Sequence, residues 1–341
     1  MPDKLKRALA GSLDSLLPLA LFVGAAAVWA ASDSPDLLFM SLAAAGGAGF
    51  AGYKASRRRP PEEFADAAEY DEYRKPVAFW RDIFIIFAAV FIFRGFFYSW
   101  FSIPSNSMQP NLIVGDFVLV DRSQYGFRLP VFNNALSEGA PPQRGDVVVF
   151  RHPNNGLVYI KRVVGIPGDE IALGANGVAV NETLLPLQDG GRYEYESDKG
   201  AHYASPQYYE QMPGGNWHRI LRDPHSPSFI GASPDWMHCE LQSGGVLRCA
   251  VPEDNFFVLG DNRDHSNDSR FWGFVGRGNI IGPATRVIIN YGEWSRFNLS
   301  LLPRDAPGFA NDAATDDAAD DAREISPQPS SENTAEENAA E

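Results

Sequence analysis

The sequence predicts a mainly β protein: an antiparallel β-sheet domain with an inserted subdomain, preceded by N-terminal transmembrane helices. Three observations point there. Apolar residues concentrate in three stretches before residue 102. Beyond it the chain breaks into short β-branched runs separated by Gly, Pro and Asp. Charge collects at the C-terminus, where residues 304–341 hold eleven Asp/Glu and two Lys/Arg, a net of −9 out of the chain's −14.

The first apolar stretch, residues 11–31, is almost wholly apolar apart from Asp14. The second, about 37–53, is rich in Gly and Ala, as helices that pack closely in bilayers often are. The third, 83–101, carries only Arg94, near its far end, where a long side chain can snorkel to headgroups. Each approaches the roughly 20 residues a bilayer crossing needs, the second least well.

Flanking charge sets the orientation. Lys4, Lys6 and Arg7 precede the first stretch, and Arg57, Arg58, Arg59, Arg74, Lys75 and Arg81 lie between the second and third. The turn at 32–36 has no positive charge. The positive-inside rule then joins the first two stretches as a hairpin with both basic flanks cytoplasmic, including a loop at about 54–82. The third helix exports everything after about residue 102, with Tyr98 and Trp100 in an interfacial belt. A cleaved signal peptide at the N-terminus is the alternative reading of the first stretch. The chain thus divides into an anchor at 1–101, an extracytoplasmic domain at 102–303 and an acidic tail at 304–341.

Residues 117–121, 146–150, 157–164, 177–180, 255–259 and 285–290 are the clearest strands, by brevity, β-branched content and turn punctuation. Residues 186–238 are aromatic, Pro- and Gly-rich and without a clean period, and read as an insertion. The tail is too poor in large apolar groups to fold and is expected to be disordered. Nothing is basic enough for a nucleic-acid footprint. Two cysteines, Cys239 and Cys249, flank a Gly-Gly where a hairpin can bring them together. In an oxidising compartment a disulfide is favoured, and reduced, buried thiols are the alternative.

Several chemistries lack their signatures. There is no H-E-x-x-H, no Cys/His cluster with zinc spacing, no phosphate-cradling glycine loop and no G-x-S-x-G. No metal or cofactor is expected. Three segments stand out instead: Phe101–Leu112, serine-rich and directly after the third stretch; Tyr159–Asp169, with Lys161 among β-branched neighbours; and Leu259–Gly273, dense in Asp and Arg. A serine-rich turn is ordinarily a cap, and a strand lysine ordinarily snorkels. By alternation Lys161 shares a face with Tyr159 and Val163, and Ile160 and Arg162 take the other. If the ammonium is buried, desolvation lowers its pKa and makes it a competent base, which a weakly nucleophilic serine requires. The third segment is either a solvated loop or one locked by charge-assisted Asp–Arg pairs.

Taken together, IPSNSMQPNL (103–112), GDFVLV (115–120), RGDVVVF (144–150), YIKRVVGIPGD (159–169) and GDNRDHSNDSRFWGFV (260–275) resemble, in order, the conserved boxes of bacterial type I signal peptidases, a Ser-Lys serine protease family. The similarity runs from about 80 to 295 apart from 186–238. It implies Ser107 as nucleophile, Lys161 as general base, and the Ser105 hydroxyl beside the Ser107 N–H as oxyanion hole. Ser266 would hydrogen-bond the lysine, with Asp261, Arg263, Asp268, Arg270 and Arg162 in support. Phe101, Ile103, Leu112, Tyr159 and Ile160 would line shallow apolar pockets. Cys239 and Cys249 sit where some members carry a disulfide. Asn106 stands where glycine is common and Asn111 where threonine is common.

The resemblance further implies cleavage of signal peptides from secretory preproteins at the bacterial inner membrane, beside the lipid bilayer and close to the export translocon. The rival readings are a specialised Ser-Lys protease for one substrate and a non-catalytic, membrane-tethered binding protein for exported chains.

Overall fold

The computed structural model describes residues 20, 22–28, 30–31, 35–130, 134–196, 200–225 and 238–301. Most of the first apolar stretch, residues 197–199 and 226–237 of the insertion, and the acidic tail lie outside the described residues.

The Gly/Ala-rich stretch forms a helix, Pro35–Ser56, against a second helix, Ala67–Ile92. Their close approach depends on glycine. A Cβ on Gly46 would meet the Phe84 backbone at 2.8 Å, and one on Gly49 would meet the Trp80 ring at 2.3 Å. Among the described residues one helix, Ala67–Phe97, is long and apolar enough to cross a membrane. The Pro35–Ser56 helix does not meet that measure.

Two expectations for this region are corrected. The segment 54–82 is not a loop throughout: the long helix already starts at Ala67. Asp66 caps it by accepting the Glu69 N–H at 2.8 Å, while the Glu69 carboxylate accepts the Ala65 N–H at 2.9 Å. The helical run also stops earlier than residue 101. After a wider turn at Phe93–Phe97, the chain becomes strand β1, Tyr98–Ser102, so Tyr98 and Trp100 stand on a strand rather than at a helix end.

Arg94 is a third correction. It does not snorkel but is 3% exposed, 3.3 Å from the Asp36 carboxylate and 4.5 Å over the Trp100 ring. Asp36 also accepts from Arg122 at 3.0 Å, and Arg122 donates to the Gly95 carbonyl. The turn into β1 encloses Arg94 at the junction of helix and sheet, and a buried cation there needs a carboxylate partner.

The remainder is antiparallel throughout its named pairings. A seven-stranded sheet runs in the order β1, β2 (Asp116–Asp121), β15 (Ile280–Asn290), β3 (Val147–Arg151), β4 (Val158–Gly165), β13 (Asn255–Leu259) and β14 (Val275–Gly276). Strand β4 lies inside it, with Lys161 opposite Val148 and Arg162 between Val147 and Leu259. A five-stranded sheet joins β5 (Glu170–Gly174), β6 (Gly177–Val180), β7 (Thr183–Leu184), β11 (Cys239–Gln242) and β12 (Val246–Ala250). Cys239 and Cys249 face each other across β11 and β12 and form a disulfide.

The region 186–238, expected to be irregular, contains a three-stranded sheet of β8 (Leu187–Glu196), β9 (His202–Gln211) and β10 (Trp217–Leu221). Its period was hidden for two reasons. The first half of β8 is largely exposed, and the alternation of Tyr193 and Tyr195 with Glu194 and Glu196 at its end is too short to mark the strand. Its register also shifts between Asp189 and Arg192, around Gly190 and Gly191.

Candidate active site

Between β1 and β2 the chain leaves the ladder and folds a short helical turn, Asn106–Met108. Met108 and Leu112, both fully buried, anchor this loop in the core with Ile103, Val118 and Ile160. Asp116 braces its base, accepting from Arg296 at 2.7 and 2.9 Å and from the Ile113 N–H at 3.0 Å. Ser107 therefore sits on a fixed turn, 8% exposed. At the start of such a turn its N–H has no partner within the turn.

Lys161 reaches the serine from β4. Its Nζ donates to Ser107 Oγ at 2.6 Å, and the lysine is 3% exposed. Ser105 Oγ lies 3.4 Å from Ser107 Oγ. Burial pushes the Lys161 pKa down to about 8, against the raising effect of the Asp268 and Asp261 carboxylates. Those carboxylates do not restore the ordinary value because arginines already neutralise them. Arg270 holds Asp268 at 2.7 and 2.9 Å, and Arg162 holds Asp261 through two bonds of 2.7 Å. No carboxylate among the described residues lies within ion-pair distance of Lys161.

The Asp/Arg-rich loop is locked, although only one pair is internal to it. Asp268 pairs with Arg270 and accepts the Gly260 N–H at 2.9 Å. Asp261 turns outward to Arg162, and Arg263 to Glu210 on β9 at 2.8 Å. His218 on β10 lies 3.2 Å from Glu210 and 3.9 Å from Asp261. Burial pushes the Asp261 and Glu210 carboxyls up, but Arg162 and Arg263 respectively overcome it and hold both below the usual range. Burial, joined by Arg162, lowers the His218 pKa.

Two asparagines tie this loop to the serine turn. Asn111 donates to Asp261 at 2.7 Å and to the Arg219 carbonyl at 2.7 Å. The Asn262 N–H donates to the Ser107 carbonyl at 3.1 Å, and its side chain donates to the Asn106 carbonyl at 3.2 Å. Gly260 makes the approach possible: a Cβ there would lie 2.2 Å from Ser266 Oγ and 2.5 Å from the Ser107 carbonyl oxygen.

Above the pair opens a cleft of about 450 Å³. Phe101, Ile103, Tyr159 and Ile160 line it, together with Val149 and Val158. Leu112 does not: fully buried, it packs beneath the cleft, because the turn carries it inward. Ser266 does not hydrogen-bond the lysine either. Its hydroxyl is buried without reaching Nζ. Sequence reasoning missed Gly260, Asn262, Glu210 and His218. A glycine closing an apolar strand was a readable sign of close approach, whereas Glu210 and His218 had none.

The comparisons supply the class of protein. A signal peptidase I from Pseudomonas fluorescens is 35% identical over 273 residues, covering 74% of this chain and 84% of its own length. One from Buchnera aphidicola of Schizaphis graminum is 34% identical over 236 residues, covering 62% and 76%. A solved signal peptidase I from Enterococcus faecalis, 23% identical, covers 43% of this chain and 98% of its own, with a TM-score of 0.23. The chain is a peptidase, and so a hydrolase. More particularly, the family model described as "Signal peptidase, peptidase S26" matches residues 77–289, and the chain belongs to that family.

Proposed function

We propose that this protein is a membrane-bound serine endopeptidase that removes signal peptides from exported preproteins, with Ser107 as nucleophile and Lys161 as general base. The observation that carries this reading is the 2.6 Å contact between Lys161 Nζ and Ser107 Oγ, made by a buried lysine that titrates at about 8.

The neutral Lys161 amine accepts the Ser107 proton as Oγ bonds to the scissile carbonyl carbon. The Ser107 N–H and the Ser105 hydroxyl receive the negative charge that develops on the carbonyl oxygen. The resulting ammonium returns its proton to the amide nitrogen, the C–N bond breaks, and the mature polypeptide leaves as an amine. An acyl-enzyme ester remains. Lys161 then takes a proton from water, the hydroxide attacks the ester carbon, and Ser107 leaves reprotonated. The apolar cleft suits the small residues that precede a signal-peptide cleavage site, bound as an extended strand.

The apolar Ala67–Phe97 helix supports membrane attachment, with residues 1–101 as a multi-pass anchor. On this reading the N-terminus is cytoplasmic, 102–303 is the extracytoplasmic catalytic domain and the 304–341 tail follows it. The cleft then lies beside the bilayer, near the translocon that delivers its substrates. Ser107→Ala and Lys161→Ala should each abolish preprotein cleavage in reconstituted vesicles, with an unchanged circular dichroism spectrum. Near-normal processing by either variant would sink the dyad.

A further inference from the structure

The cleft lining is chemically divided. Its apolar residues come from β1 and the two residues after it, β3 and β4, whereas His265 and Asn267 come from the Asp/Arg-rich loop. His265 stands against the three-stranded sheet of the insertion. Its Nδ1 is 2.8 Å from the Tyr195 hydroxyl, and its ring lies 4.6 Å from that of Tyr203. Tyr195 and Tyr203 are directly paired across β8 and β9 with stacked rings 5.4 Å apart. Tyr195 is 8% exposed and Tyr203 is 37% exposed.

A chain of hydrogen bonds holds the imidazole. Asn262 Nδ2 also donates to the Asn106 carbonyl, which can only accept, so the amide's orientation is set. That same Nδ2 donates to the Tyr195 oxygen at 2.9 Å. The Tyr195 hydroxyl also lies 2.8 Å from His265 Nδ1 and holds the ring in place. The outcome is an exposed imidazole held by Tyr195, flanked by an exposed aromatic face and joined through Asn262 to the backbone beside Ser107.

We propose that His265 and Tyr203 form a subsite for the first residues of the polypeptide released by cleavage, with Tyr195 as the residue that positions His265. This rests on the preceding functional reading. If the apolar end takes the residues before the scissile bond, the polar end is the path left for those after it. A held imidazole beside a ring face suits an extended main chain, which can hydrogen-bond to the one and lay its side chains along the other. The insertion, which bears Tyr195 and Tyr203, thereby contributes to substrate recognition.

The test uses the full-length protein in vesicles and two peptide substrates with the same signal-peptide end. One stops a single residue after the cleaved bond, and the other continues for several residues. The wild-type protein should favour the longer peptide in kcat/KM. His265→Ala and Tyr203→Ala should reduce that advantage roughly five- to tenfold, the loss expected of one hydrogen bond or one aromatic contact. His265→Asn, which keeps a donor, should restore part of it, and Tyr195→Phe should lose part of it. An unchanged advantage in the alanine variants, no advantage in the wild type, or a loss that follows residues before the bond overturns the subsite. Each of these results leaves the Ser107 and Lys161 test standing. Cleavage by Ser107→Ala would bring down both.

Discussion

Lys161 and Arg162 are neighbours on β4, both buried and both basic, yet the fold treats them in opposite ways. Arg162 meets Asp261 through two hydrogen bonds and also donates to the Gly145 carbonyl at 2.8 Å. Lys161 meets a serine hydroxyl and has no carboxylate within ion-pair distance among the described residues. Strand alternation sends them to different faces. The lesson is that burial alone does not make a base. A buried cation is compensated by a partner, as Arg162 is by Asp261, or loses affinity for its proton, as Lys161 does. Arginine suits the first role because it does not deprotonate, and lysine the second.

The same substitution at the two positions breaks the comparison most sharply. Lys161→Met should cut kcat/KM about a thousandfold or more, the scale of a lost general base. Stability should nevertheless rise, since a lysine titrating at about 8 instead of 10.5 costs roughly 3 kcal/mol below pH 8. Arg162→Met should do the reverse to stability, lowering it by about 3–5 kcal/mol by leaving Asp261 buried without its counter-charge. Urea unfolding at pH 7 checks both. Equal destabilisation by the two variants would refute the opposite treatment of the two cations.

Gly260 gives the next largest effect. The Cβ of Gly260→Ala would meet the Ser107 carbonyl oxygen at 2.5 Å, so the turn carrying Ser107 must move. Displacement of about 1 Å at a reacting group lowers turnover on the order of a hundredfold. Because the overlap also involves packed backbone, the variant should lose about 1–3 kcal/mol of stability. Wild-type turnover in Gly260→Ala, measured on a folded sample, would mean that the loop does not set the position of Ser107.

These relations were unequally legible in the sequence. Strands such as Gly177–Val180 and Asn255–Leu259 were readable to the residue, because β-branched runs ended in turn residues. Ser107 and Lys161 were found together only through the order of the boxes around them. The capping pattern at Asp66 and Glu69 was also present, and it would have placed the start of the long helix. Leu112 reads equally well as lining or core, and only the direction of the turn decides. Glu210 and His218 were invisible, because a residue that neutralises a loop from a distant hairpin leaves no local pattern. The buried Arg94 was misread for a related reason: its partner, Asp36, stands 58 positions earlier.

The smallest expected effect concerns pH, and it tests the comparison directly. With Lys161 titrating at about 8, kcat/KM should rise with pH through a limb centred near 8, since only the neutral amine accepts the serine proton. Stability follows the same group with its own sign. Between about 8 and 10.5 the unfolded chain binds more protons at this lysine than the folded one, so its contribution to folding free energy becomes more favourable as pH rises across that window. The stability gap between Lys161→Met and the wild type should therefore be constant below pH 8 and close towards 10.5. In Arg162→Met the Asp261 charge is no longer neutralised, so it attracts the Lys161 ammonium more strongly and the kinetic limb should move above 8. An upward shift of the limb would tie the low Lys161 pKa to the arginine beside it. A limb unmoved in Arg162→Met would mean that desolvation alone sets it, and that the pairing on one face of β4 has no part in the chemistry on the other.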